Sequence, residues 1–186
     1  MRVEAGSDAT SPTDAAVDSS SAPDACATAD LMSDPKNCGV CGTVCPSGVC
    51  VSAFCATRVF ITSATFSGTL GSGKGWQSGV DACTAAAKKL TPLPASVLPW
   101  LSDGTHSPKN SFTTMSNGAV VLANAPSPTV VAKTMPGLFA GSGLVHEIDR
   151  DESGAQVTGV NVWTATNQDG TFATPNCTNW TVGTIQ

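Results

Sequence analysis

The sequence predicts an α+β fold, and three observations carry the prediction. One stretch, Trp76 to Leu90, repeats apolar residues at helical spacing. Several short runs of β-branched and aromatic residues lie around it. The connections between them are long and rich in glycine and proline, which suits short strands and loops on one helix rather than alternating βαβ units.

In chain order, residues 1–25 are Asp, Ala, Ser, Pro and Thr with almost nothing to bury. Such a segment cannot offset its ordering entropy and is expected to remain a disordered acidic stalk. Residues 26–56 form a second unit, with six cysteines (Cys26, Cys38, Cys41, Cys45, Cys50 and Cys55) and turn signals at Asn37-Cys38-Gly39 and Cys41-Gly42. So short a segment has no room for a core, so disulfides must hold it, and six cysteines allow 15 pairings. Zinc is the competing use of Cys38-x2-Cys41, but no second CxxC or nearby histidine completes a ligand set.

The third unit is 57–186. Arg58 to Phe66 reads as a strand and Gly68 to Gly75 as a loop. Trp76, Val80, Cys83, Ala87 and Leu90 share one face of the helix, Lys88 and Lys89 suit its C-terminus, and Pro92, Pro94 and Pro99 stop it. Short strands are expected at Trp100-Leu101, Ala119 to Leu122, Thr129 to Ala132, Val157 to Thr166 and Cys177 to Val182, with 137–154 mostly loop. Trp100, Trp163 and Trp180 are assigned to the core, where an indole N–H usually bonds backbone. Cys83 and Cys177 stand apart from the cluster and are expected to form a disulfide between the helix and the last strand.

Only 12% of residues are charged, and eight cysteines point to an oxidising compartment. Residues 1–37 carry two basic and seven acidic side chains, while 38–186 carry seven of each. A balanced domain offers no footprint for phosphate backbones, so nucleic acid is excluded as a partner. No apolar run is long enough to span a bilayer, and the N-terminus lacks the hydrophobic stretch of a signal peptide. Membrane attachment is therefore expected only through a signal or lipid anchor absent from this sequence.

Gly68-x4-Gly73-Lys74 resembles a phosphate loop, but Gly75 stands where a magnesium-binding hydroxyl belongs and no βαβ repeat follows. Asp149, Asp151, Ser153 and Gly154 match the first half of a calcium loop. Val160 replaces its closing glutamate, so Asn167, Asp169 and Asn176 would have to complete an oxygen shell. A solvated acidic turn is the preferred reading, with calcium the one cofactor kept as an alternative. His106 and His146 are the only histidines, and neither sits near a nucleophile motif, so a catalytic role is not expected.

RVFITSATFSGTLG, GVDACTAAAKK, PWLSDGT, DRDESGAQVTG, VWTATNQDG and NCTNW occur in that order over residues 58–182. Together they resemble the bacterial endostatin-like domain of leptospiral endostatin-like surface proteins, here preceded by a Cys-rich segment similar to those of other exported bacterial proteins. The resemblance implies a C-type-lectin-like fold in which a helix is tied to the terminal strands. It departs from heparin-binding endostatins in keeping only Arg58 and Arg150, and from sugar-binding C-type lectins in lacking their proline-containing triplet. The expected function is a non-catalytic, secreted or cell-surface adhesion domain that recognises an extracellular protein or glycan. A calcium-dependent lectin is the runner-up and an exported hydrolase the third reading.

Overall fold

A computed structural model describes residues 26, 28–113, 117–140 and 143–183. The stalk assigned to 1–25 lies outside the described residues. The described residues form two small sheets and a few helices, an α+β arrangement with a disulfide-rich N-terminal region. No helix among the described residues is long and apolar enough to cross a membrane.

The N-terminal region is clamped by Cys26–Cys41, Cys38–Cys50 and Cys45–Cys55. The bonds interleave, and they bury Cys38, Cys45 and Cys50 together as a sulfur core in place of an aliphatic one. One antiparallel hairpin, β1 (Cys50–Val51) with β2 (Phe54–Cys55), leads out of it. Three disulfides of this kind belong to an oxidising environment.

β3 (Thr57–Val59) follows at once and pairs parallel with β4 (Val120–Leu122), which pairs antiparallel with β5 (Val130–Ala132). A parallel pair needs a long crossover, here supplied by α1 (Trp76–Ala87), the proline-rich segment behind it and the short α2 (Pro108–Ser111). β4 is buried on both faces, which explains its continuous apolar run. Val120 and Leu122 pack with Phe112, Val131, Met135 and Leu138, the last two from α3 (Met135–Phe139). On the opposite face, Ala119 and Val121 pack with Ala56 and with Val49 and Val51 of the Cys-rich region. The disulfide-clamped hairpin is thus the second layer on this sheet. Gly118 makes the approach possible, because a Cβ there would collide with the Cys55 carbonyl.

Replacing Cys45 and Cys55 together by alanine is therefore expected to cost about 2–4 kcal/mol and to uncover the Val121 face of the sheet. Hydrogen exchange at the Val121 amide should accelerate in that variant. Unchanged protection there would show that the hairpin does not cover β4.

Several boundaries differ from the sequence reading. The first strand ends at Val59, and beyond it only Ile61 bridges to Asp151. The helix ends at Ala87, where the turn tightens through Lys89 N–H to Ala86 C=O and Leu90 N–H to Ala87 C=O. Trp100-Leu101 is not a strand, although Leu101 is buried. Val157 to Thr166 is not a strand, because positive φ at Gly159 and Ala165 breaks the run. Its backbone bonds are isolated ones such as Val157 N–H to Asp149 C=O and Ser102 N–H to Thr164 C=O, and only Thr166 bridges, to Phe172. Cys177 to Val182 is not a strand at all, because α4 (Cys177–Trp180) is a single tight turn.

The acidic turn 149–154 serves as a cross-tie. Glu152 is 2% exposed, accepts from Ser63 N–H (2.8 Å) and Ser63 Oγ–H (2.5 Å), and pairs with Lys89 Nζ at 2.8 Å. Its backbone carbonyl accepts from Asn124 Nδ2. One residue thereby connects the exit of β3, the end of α1 and the β4–β5 connection.

Candidate binding face

One end of the domain gathers the residues that sequence reasoning left scattered. α4 is left-handed: Cys177, Thr178, Asn179 and Trp180 have φ of 52°, 51°, 55° and 64°. Left-handed backbone costs roughly 1–2 kcal/mol per non-glycine residue, so tertiary contacts must hold the turn in place. The Asn176 side chain caps it by accepting from Asn179 N–H at 3.2 Å. Cys177 is buried against Gly68, where no Cβ would fit. Trp180 is 1% exposed, and its Nε1–H donates to the Ser102 carbonyl at 2.8 Å.

Around Trp180 pack Leu101 and Ala165, with Leu70 and Trp76 at the edge. Ser102 holds the neighbouring segment through its N–H to Thr164 C=O (3.0 Å) and its hydroxyl to Thr166 Oγ1 (2.8 Å). Trp163 sits edge-on to Trp180, with ring centroids 5.6 Å apart and planes at 63°. It is 43% exposed, which corrects its assignment to the core. Trp180 is in the core as expected, while Trp100 is half-buried between Phe112 and Phe139. Beside Trp163, Val160 and Val162 are also exposed, and no backbone group of 158–163 has an intrachain hydrogen bond among the described residues.

A second aromatic pair flanks the first. Trp76 and His106 stack with centroids 4.3 Å apart and planes at 11°. His106 Nδ1 lies 3.1 Å from both Asp103 carboxylate oxygens. Burial raises the Asp103 pKa, but the N–H groups of His106 and Thr105 and the imidazole itself bring it below the ordinary range. Asn179 Oδ1 accepts from Gly104 N–H (3.1 Å) and Asn176 Nδ2 (2.6 Å), joining the Asp103–His106 turn to α4. On this face Trp163 is exposed, Trp76 and His106 are half-buried and Trp180 lies beneath, with the Asn176 and Asn179 amides joining α4 to the Asp103–His106 turn. Asp103, Gly104, Thr105 and His106 form an Asx turn, and the Asp–x–x–His spacing was its sequence signal.

The Asp103–His106 pair orients an imidazole as a general base would require. Among the described residues, however, no hydroxyl or thiol bonds the other ring nitrogen. His146 Nδ1–H donates to Glu147 C=O at 2.7 Å and lies 4.0 Å from Asp149 Oδ1. Gly141 and Ser142 lie outside the described residues.

The oxygen set proposed for calcium does not converge. Asp151 Oδ1 accepts from Ser153 N–H, Ser153 Oγ–H and Ala155 N–H, so the turn consumes that oxygen, whereas Asp149 Oδ1 is buried without a hydrogen-bond partner among the described residues. Asp149 Oδ2 takes Gln156 Nε2–H, Asp169 pairs with Lys109 at 3.2 Å, and Asn167 bonds Thr171 and Phe172. Among the described residues, the one group of three acidic, His or Cys ligand atoms within 4.8 Å is Cys38, Cys45 and Cys55. All three sulfurs are in disulfides and offer no thiolate to a metal.

Cys83 and Cys177 are free thiols, which corrects the expected bridge. α1 does pack against α4, as a tether would require, but the two sulfurs point to different places. Cys177 faces Gly68, whereas Cys83 turns with Leu90 toward a cavity under the sheet. Burial pushes the Cys83 thiol up to about 11. Comparison with protein-family models, with curated proteins and with solved structures found no match to this chain.

Proposed function

We propose that the protein is an exported, non-catalytic binding module that recognises an extracellular protein or glycan through the face around Trp163. The observation that carries this reading is a large aromatic ring held partly exposed by a buried one. Trp163 stands against Trp180, whose own position is fixed by the Ser102 carbonyl. Rigid, supported aromatics of this kind supply the anchor residues of recognition surfaces, because little rotamer freedom is lost on binding. The amides of Asn176 and Asn179 and the Thr105 hydroxyl next to it offer orienting hydrogen bonds. Three disulfides support a secreted or surface-displayed setting. The endostatin-like, C-type-lectin-like reading of 57–186 is kept as part of the same proposal, supported by its ordered motifs and by the packing of the helix on the terminal turn.

A glycan and matrix-protein array probed with the full chain tests this directly. Bound spots should weaken about thirtyfold or more with Trp163→Ala, while the far-ultraviolet spectrum stays unchanged. An array without a ligand, or a ligand indifferent to Trp163→Ala, would remove the proposal.

A further inference from the structure

An apolar hollow among the described residues lies away from the Trp163 face, between the Cys-rich hairpin and the domain. It measures about 360 Å³ and is walled by Phe60, Leu98, Trp100 and Met135, with Cys83 on one side and Arg58 on another. That size falls in the range of small-molecule sites, about 300–1,000 Å³. It equals roughly a dozen waters at ~30 Å³ each, which suits one medium-length hydrocarbon chain.

Among the described residues, Arg58 is the only charged one in this wall. Its guanidinium donates to the carbonyls of Thr91 and Pro92, and no carboxylate lies within ion-pair distance of it among the described residues. Two backbone carbonyls use two of its five donors and leave the charge itself unmatched. A half-buried cation without a counter-ion, set beside an apolar hollow, is complementary to a chain that ends in an anion.

We propose that this cavity binds a single-chain carboxylic acid of medium length, its hydrocarbon among Phe60, Leu98, Trp100 and Met135 and its carboxylate on Arg58. Cys83 is in contact with the chain and acts as a reporter, not as a reactant. The neutral thiol fits such a lining, since burial already disfavours its thiolate.

Decanoate titrated into the full chain in a calorimeter should give saturable binding. Octanoate should bind about fifteenfold more weakly, because each buried methylene contributes about fourfold. Decanol should bind at least tenfold more weakly than decanoate, and Arg58→Gln should erase that difference. Independently of any variant, decanoate should slow alkylation of Cys83 by N-ethylmaleimide and leave Cys177 unaffected, as read by peptide mass spectrometry. Unsaturable heats, equal affinity for decanol, or a Cys83 alkylation rate that ignores decanoate would each overturn the assignment. Loss of the Trp163 ligand in the array leaves these outcomes untouched, so the two proposals fail separately.

Discussion

Trp180→Ala is expected to cost about 3–5 kcal/mol, as truncations of fully buried large aromatics do. Domains of this size have only about 5–15 kcal/mol in total, so much of the folded population should be lost under mild denaturant. The side chain fills the space between Leu101 and Ala165. Two further costs follow from its position. The Ser102 carbonyl loses its donor, and α4 loses the main contact that holds four residues at positive φ. Trp180→Phe separates these contributions. It keeps most of the volume but removes the Nε1–H donor, so it should cost less, about 1–2 kcal/mol. Urea unfolding followed by circular dichroism measures both. A Trp180→Ala variant within 1 kcal/mol of the native chain would mean that this turn is not held by its tryptophan. Because Trp163 rests on Trp180, the alanine variant should also lose ligand under conditions where it remains folded.

What could be read from the sequence follows the range of the forces involved. The helix at Trp76 was legible because its apolar period is local, and only its last turn differed, where the chain tightens after Ala87. The run Ala119 to Leu122 declared a buried strand, but its unbroken apolar character could not reveal that the covering layer is Val49 and Val51 from the disulfide hairpin. Val157 to Thr166 has the composition of a strand, but positive φ at Gly159 and Ala165 breaks the run. A strand also needs a neighbour, which is a non-local matter, and residues 158–163 have none among the described residues.

At Cys177 to Trp180 the β-branched and aromatic composition pointed to a strand, while Asn176 and Asn179 carried the opposite signal. Asparagine both caps through its side chain and tolerates left-handed backbone. Even cysteine counts suggested that Cys83 and Cys177 should pair, yet helix geometry had already placed Cys83 on the Ala87–Leu90 face, which turns toward the interior. The exposed Trp163 was misplaced for a related reason. A hydrophobic residue in a β-like run reads as core unless its partner strand is known to be missing.

Spacing cannot show which groups consume the oxygens of the acidic turn 149–154. In Asp151 the turn's own N–H groups do so. In Glu152 the consumers are Ser63 and Lys89, which are distant in sequence. Burial pushes the Glu152 carboxyl up, but the hydrogen bonds from Lys89 and Ser63 outweigh it and hold its pKa at about 2 rather than 4.5. A carboxylate with a depressed pKa adds stability that is fully present above its unfolded value and is lost as pH falls through its folded value. From these two values the contribution is about 3 kcal/mol above pH 4.5, declining toward zero near pH 2. Most of it should be gone by about pH 3.

Glu152→Gln keeps the shape and one acceptor but removes the charge. It should therefore destabilise the native chain by about 3 kcal/mol near neutrality and by far less near pH 3. The two stability curves should converge on acidification. Other carboxylates with lowered pKa, Asp103 and Asp151 among them, slope both curves the same way and cancel in the difference. Urea midpoints for the pair at several pH values supply the measurement. Parallel curves, with a constant gap down to pH 3, would show that Glu152 contributes by packing alone. Convergence would establish that the acidic turn stabilises the fold through its charge.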